Sequence, residues 1–412
     1  MSLETITLVW PRQEELIGKN ELTSEELLAL KSVSFYAPIK MLELGRGQRE
    51  GENKEKCVQT AYNILRLLDE AEDASKLLTV DDKKWIIEKF SFVIGEIVRK
   101  TNGSKGIEDI IKGSDFQSVT KKLKEGAADK TARVFVEQFG TGNVLRDLYG
   151  ISTQPHGTEI QEAIHYAVET MATGMKVFLE KGPIETVDQL HTYCYRVAAR
   201  IGSAFLNKLV EFKDRDIQGN PVILDDELAE RFGEFLQLTN IIKNVRSDYK
   251  EDRRFFPREY RRRDVSYEYM MDGGGVDAEE AKEKMLEKML SLAELNFKDS
   301  VKYVQSISEH ISGYRAFCLI PLITAKKTLE HMRKEGAEKV FIGEKDAIKI
   351  PYGIQGIVDF SYGLVKNEEG KHTNEWLNEF AQKPEKFSFE PHEYEKWAGH
   401  YRGHHRVKIF SA

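Results

Sequence analysis

Leu236 to Tyr249 reads LQLTNIIKNVRSDY, and its periodicity decides the fold class. Leu238, Ile241, Ile242 and Val245 fall at i, i+3, i+4 and i+7, which predicts a helix with one apolar side. The other side carries Gln237, Asn240, Asn244 and Asp248. Solvated helical faces are usually written in Lys and Glu, whose long side chains favour both helix and water, whereas Asn is a poor helix former. By periodicity alone a polar strip opposite an apolar one faces water. The short amides pull the other way, toward a lined cavity.

Outward from this stretch the same helical period continues. It runs through SEELLALKSVSFYAPIKMLEL (Ser24 capping, with Glu26 and Leu27 after it, and a break near Pro38) and CVQTAYNILRLLDEAEDASKLL. KWIIEKFSFVIGEIVRK, GTEIQEAIHYAVETMATGMKVFLEKG, TVDQLHTYCYRVAARIGSAFLNKLVEF, AEEAKEKMLEKMLSLAELNFKDSVKYVQSIS and GYRAFCLIPLITAKKTLEHMRKEG follow it. Residues 101–132 read as short helices joined by exposed loops. A short strand is expected only at EKVFIGEKDAIKI. The fold class is therefore all-α, a helical bundle over 1–365 with an irregular C-terminal tail over 366–412.

The totals agree. A chain of 412 residues, 41% hydrophobic and 31% charged, can bury a sizeable core. Its net charge of −7 argues against a nucleic-acid partner, which would need clustered Lys and Arg. Cys57, Cys194 and Cys318 are far apart without C-x-x-C spacing, which fits a reducing cytoplasm. No apolar run nears the roughly 20 residues of a membrane span, and the N-terminus is not a secretory signal. A cytoplasmic protein is expected, lying at most against a membrane.

A second strip matches the first. In YNILRLLDEAED, Tyr62, Arg66, Asp69 and Asp73 sit at i, i+4, i+7 and i+11 and project from one side. If the two strips lined one cavity, they would surround it with carboxylates and amide oxygens. Such ligands suit magnesium, which completes its shell with waters and phosphate oxygens.

LLDEAED, followed by YCYRVAARIG and LQLTNIIKNVRSDYKEDRRFFP, resembles the squalene/phytoene synthase family in order and spacing, over about Ser32 to Gly353. The resemblance implies the isoprenoid synthase bundle with a central active-site cavity. It implies a magnesium-dependent joining of two prenyl diphosphates, with NADPH as candidate reductant. Asp69, Glu72 and Asp73 match the D-x-x-E-D motif whose carboxylates hold magnesium, with Arg66 and Tyr62 just before it. Tyr193 matches a tyrosine acting near the carbocation. Gln237, Asn240 and Asp248 match the second motif's helix, and Lys243 and Arg253 are expected at diphosphate. Phe35 and Phe317 match aromatic residues beside the hydrocarbon channel. The implied protein is a monomer or homodimer.

The pattern departs in places. The second motif's D-x-x-E-D reads Asn244-Val-Arg-Ser247-Asp248, so two of three carboxylates are missing, while Asn244 can still offer an oxygen. Asn240, Asn244 and Asp248 also loosely resemble the N-x3-S/T-x3-E metal motif of class I terpene cyclases. Val33 stands where the family has an arginine, and Arg200 either replaces it or points outward. After VFIGEKDAIK the chain keeps Lys349 but has Pro351 and Tyr352 where basic residues are expected, which weakens the reductive step. GTGN (Gly140 to Asn143) and DGGG (Asp272 to Gly275) read as loops. Arg261, Arg262 and Arg263 read as a solvated or headgroup-facing patch, and His392, His400, His404 and His405 are too loosely spaced for a metal site. Three readings stay open: head-to-head condensation of farnesyl diphosphate, a cyclase acting on one prenyl diphosphate, and a non-catalytic lipid-binding relative.

Overall fold

The computed structural model describes residues 5–11, 13–42, 48–74, 77–100, 106–261, 264–344, 354–366, 373–387, 389 and 406–411. Apart from short terminal stretches, the chain forms two compact units. One comprises Thr7–Glu180 and Ser203–Ile223, the other Lys181–Gly202 and Leu224–Lys408.

The first unit is built on helices Ser24–Lys31, Val33–Met41, Gln48–Glu72, Val80–Lys100, Ser114–Gly126, Lys130–Phe139, Asn143–Ile151 and Gly157–Lys181. Two local expectations are corrected here. The first of these helices is capped by Thr23, not Ser24: its hydroxyl accepts from the Glu26 amide and the Glu26 carboxylate accepts from the Thr23 amide. The break comes at Ser32, whose hydroxyl accepts from the Phe35 amide at 3.2 Å, while Pro38 sits inside the second helix. A local cap ends one helix and starts the next, so the proline is not needed to interrupt them. The core includes Phe90, Phe116 and Phe135, with ring centroids 5.7–6.3 Å from that of Phe139. Each such phenyl, removed from water, contributes on the order of 2–3 kcal/mol.

The second unit contains Val187–Cys194, Asp226–Lys250, Val276–Ser306, Ser312–Glu335, Ala337–Ile342, Ile354–Lys366 and Thr373–Gln382. Asp226–Lys250 begins at Asp225, whose carboxylate accepts from the Leu228 amide at 2.9 Å. The helix packs on Val276–Ser306, with Phe235 and Phe297 5.4 Å apart. After Cys194 the backbone widens into a π-turn, Tyr195–Ala199. Gly233 permits this turn to approach, since a Cβ there would meet the Ala199 Cα at 2.8 Å.

The expected strand at 338–350 is instead a helix, Ala337–Ile342, closed by Gly343 in the left-handed region at φ 74°, and 345–350 lie outside the described residues. An apolar triplet is too short for its period to distinguish strand from helix. Within the stretch read as an irregular tail, Thr373–Gln382 is helical and buries Trp376, Leu377 and Phe380. Among the described residues the strands are Thr5–Trp10 and Arg406–Ser411, paired in a two-stranded sheet. The three cysteines are free and buried. Among the described residues no helix is long and apolar enough to cross a membrane. Val33's side chain, Lys349, Pro351, Tyr352, Arg262, Arg263 and the tail histidines lie outside what is described.

Candidate active site

The strip predicted on Gln48–Glu72 is present in the first unit. Tyr62 packs on Phe35, centroids 5.5 Å apart, and hydrogen-bonds Ser32. One helical turn on, Arg66 collects the acidic residues. Its Nη1 lies 3.3 Å from Asp69 Oδ2, and its Nη2 lies 3.6 Å from Asp73 Oδ2. Nε and Nη2 also reach Glu70 Oε1 at 3.0 and 2.9 Å. Glu70 in turn accepts from Lys31 at 2.7 Å, and its side chain is 5% exposed. Asp69 and Asp73 differ sharply from it, at 35% and 36%. Glu72 is buried.

The electrostatics follow from this crowding. Desolvation pushes the Asp69 carboxyl up to about 7, against the pull of Arg66, and the like charges of Asp73 and Glu70 push it further the same way. Arg66 loses solvation too, but Asp69 and Glu70 hold its charge more firmly than usual. Asp69 and Asp73 are half-exposed oxygen donors whose crowding resists full ionisation, a repulsion that a bound cation would relieve. That donor set fits a hard dication which retains waters and shares phosphate oxygens. Among the described residues no three His, Cys, Asp or Glu side chains converge tightly enough to hold an ion on their own.

The second-motif helix lies in the second unit and is differently committed. Asn244 donates to the Asn240 side-chain oxygen at 3.2 Å, and Ser247 donates back to the Asn244 carbonyl at 2.8 Å. Asp248 is buried and paired with Arg253 at 2.7 Å. Asn240 is exposed, and Gln237, Lys243 and Asn244 are half-buried. Asp248 is paired with a guanidinium as Asp69 and Asp73 are, but Asn244 and Ser247 stand at the motif's other two carboxylate positions, so this helix offers a cation less negative charge than Gln48–Glu72 does. Beside it the buried Tyr193 ring lies 4.9 Å from Phe255, and Phe317 stacks on Tyr314 at 5.7 Å. Arg200 is half-buried, and its Nη1 donates to Glu230 at 2.7 Å.

The matched family model is Squalene/phytoene synthase, over residues 130–350. That is more than half of the sequence. The chain belongs to the squalene/phytoene synthase family. A squalene synthase of Schizosaccharomyces pombe is 27% identical over 327 residues, covering 77% of this chain and 60% of the relative. Squalene synthase 3 of Panax ginseng is 31% identical over 210 residues, 48% of this chain and 45% of that one. The chain thus spans 60% and 45% of the length of these two curated relatives, under two thirds of each. A solved structure described as TcSQS with a ligand superposes with TM-score 0.57 at 22% identity, over 91% of this chain and 99% of that one. The fold is therefore that of the isoprenoid synthases, as the sequence implied.

Sequence reasoning missed Glu70, Lys31, Ser32 and Phe255. Glu70 carries a signal, its i+4 spacing from Arg66, but that spacing ordinarily marks a surface pair. Lys31 and Ser32 reach the strip through tertiary packing, for which no spacing exists.

Proposed function

We propose that the protein joins two prenyl diphosphates head to head through a cyclopropyl diphosphate. Farnesyl diphosphate is the expected substrate and squalene or a related thirty-carbon hydrocarbon the product. The observation that carries this reading is the sharing of one guanidinium by two half-exposed aspartates in a member of this family. Asp69 and Asp73 would hold magnesium, which when bound neutralises the leaving diphosphate. Arg66 stands next to both carboxylates and would bond the same anion from its Nη atoms. Lys243 and Arg253 would hold a second diphosphate. Departure of diphosphate leaves an allylic cation, and the face of Tyr193, backed by Phe255, offers the negative quadrupole that tolerates it. Phe35, Tyr62 and Phe317 would keep the hydrocarbon dry. The product partitions into lipid, so action at a membrane surface belongs to the proposal.

The test is incubation of purified protein with magnesium and farnesyl diphosphate, with and without NADPH, followed by mass spectrometry. A thirty-carbon hydrocarbon supports condensation, and its reduction only with NADPH supports a reductive step. The loose match of Asn240, Asn244 and Asp248 to the N-x3-S/T-x3-E motif favours a second reading, a class I cyclase using one substrate. A fifteen-carbon product would establish that reading instead. Absence of any product from farnesyl or geranylgeranyl diphosphate would overturn both.

A further inference from the structure

A cavity of about 360 Å3 lies within the second unit, outside the residues given a role above. One wall is the stretch around Ile184 and the other the stretch from Arg254 to Arg261. The two are laced together by backbone. The Ile184 amide donates to the Arg254 carbonyl, the Arg258 amide to the Ile184 carbonyl and the Glu259 amide to the Glu185 carbonyl, each at 3.0 Å. The Val187 amide adds a bond to the Glu259 carboxylate at 2.5 Å. The walls are thus set before any ligand arrives, as ligand sites usually are.

Three guanidiniums line this space, and their commitments differ. Arg254 is held by Asp252 at 2.6 Å and by Glu268 at 3.0 Å. Arg258 is exposed and only loosely paired, 3.4 Å from Glu185. Among the described residues, the buried Nε of Arg261 has no hydrogen-bond partner. A buried donor left unpaired loses its hydration with nothing in return, so its presence in a cavity wall points to an acceptor that the described residues do not supply. Glu185 and Glu268 also line the cavity, and with Asp252 they set three carboxylates against the three guanidiniums, so what is left over is hydrogen-bonding capacity at Arg261 and not net charge. Arginine's planar fork suits phosphate oxygens in particular. Ile184, Phe256 and Tyr267 add apolar surface beside the charges, suited to a ligand with a greasy or planar body.

We propose that this cavity binds a phosphate-bearing anion, anchored by Arg261 and assisted by Arg258. The source is either a free phosphate compound or a phospholipid headgroup, and the site holds whichever reaction the protein catalyses. Two probes on the full chain separate them: calorimetric titration with inorganic diphosphate in EDTA, and flotation on vesicles containing phosphatidic acid against pure phosphatidylcholine. Arg261→Gln is expected to weaken binding of at least one probe about tenfold or more, with Arg261→Lys recovering part of it and both variants melting near the parent. Loss of diphosphate binding identifies a free anion, and loss of vesicle binding alone identifies a headgroup. Arg146→Gln, at a guanidinium of the first unit paired with Glu108, is expected to leave both unchanged. If Arg66→Gln abolishes binding while Arg261→Gln does not, or if neither probe responds to Arg261, the proposal fails.

Discussion

At the scale of single residues, Glu70 divides two kinds of carboxylate on one helix. It is buried between Arg66 and Lys31, whereas Asp69 and Asp73 reach solvent from the same guanidinium. Its replacement leaves two cations without their shared partner. Glu70→Gln is therefore expected to cost roughly 2–4 kcal/mol of stability, read from urea unfolding, because a broken buried pair strands the opposite charge. A loss near zero would mean that Lys31 and Arg66 find other acceptors. Asp69→Asn removes a donor rather than a support. It should lower kcat/KM by about 100-fold or more with little change in melting temperature, since metal and diphosphate stabilisation is a transition-state term. Removing magnesium with EDTA should abolish turnover and magnesium restore it. The acidic strip was legible because helix geometry alone places Tyr62, Arg66, Asp69 and Asp73 on one side. Its division into supporting and working carboxylates was not legible, because burial of Glu70 depends on Lys31 from another helix.

At the scale of elements, Tyr193 depends on an irregular backbone. It precedes the π-turn Tyr195–Ala199, which closes on Asp226–Lys250 where Gly233 leaves room. Such turns recur at functional sites but have no period of their own to read from a sequence, which is why YCYRVAARIG was taken as plain helix. Gly233→Ala would press its Cβ on backbone that cannot rotate away, at a cost of about 1–3 kcal/mol. It should also lower kcat, and the check is whether a bulk-neutral site on the same helix, such as Arg231→Lys, leaves kcat intact. The same two helices are clamped by His191 and Glu234. The hydrogen bond to Glu234 raises the imidazole above its usual range, against partial desolvation. A raised folded value means that the clamp's stability is complete below the unfolded value of about 6.5 and is lost as pH rises through the folded one. His191→Gln should therefore lie furthest below the parent in melting temperature near pH 5.5 and approach it as pH rises. A gap that widens with pH would remove His191 from this role.

At the scale of the whole molecule, the two motif helices belong to different units, and the chain crosses between units at Glu180–Lys181, Gly202–Ser203 and Ile223–Leu224. The first and third crossings have breaker signals, Gly182-Pro183 and Gly219-Asn220-Pro221, but these read equally well as loops within one body, and the second crossing runs through a helical stretch. The returning piece, Ser203–Ile223, is structural for the first unit. Asp214 bonds the buried Lys54 at 2.6 Å, and Lys213 donates to the Pro155 carbonyl at 3.0 Å. Because the unit needs a segment that the chain supplies only after visiting the other unit, neither should fold as a separate stretch of sequence. The two are expected to unfold as one transition by calorimetry, with calorimetric and van't Hoff enthalpies equal. Asp214→Asn tests this, since it strands the Lys54 charge at an expected cost of roughly 2–4 kcal/mol. One cooperative transition should shift as a whole. If two transitions are seen and only one moves, the units are thermodynamically independent despite the threading.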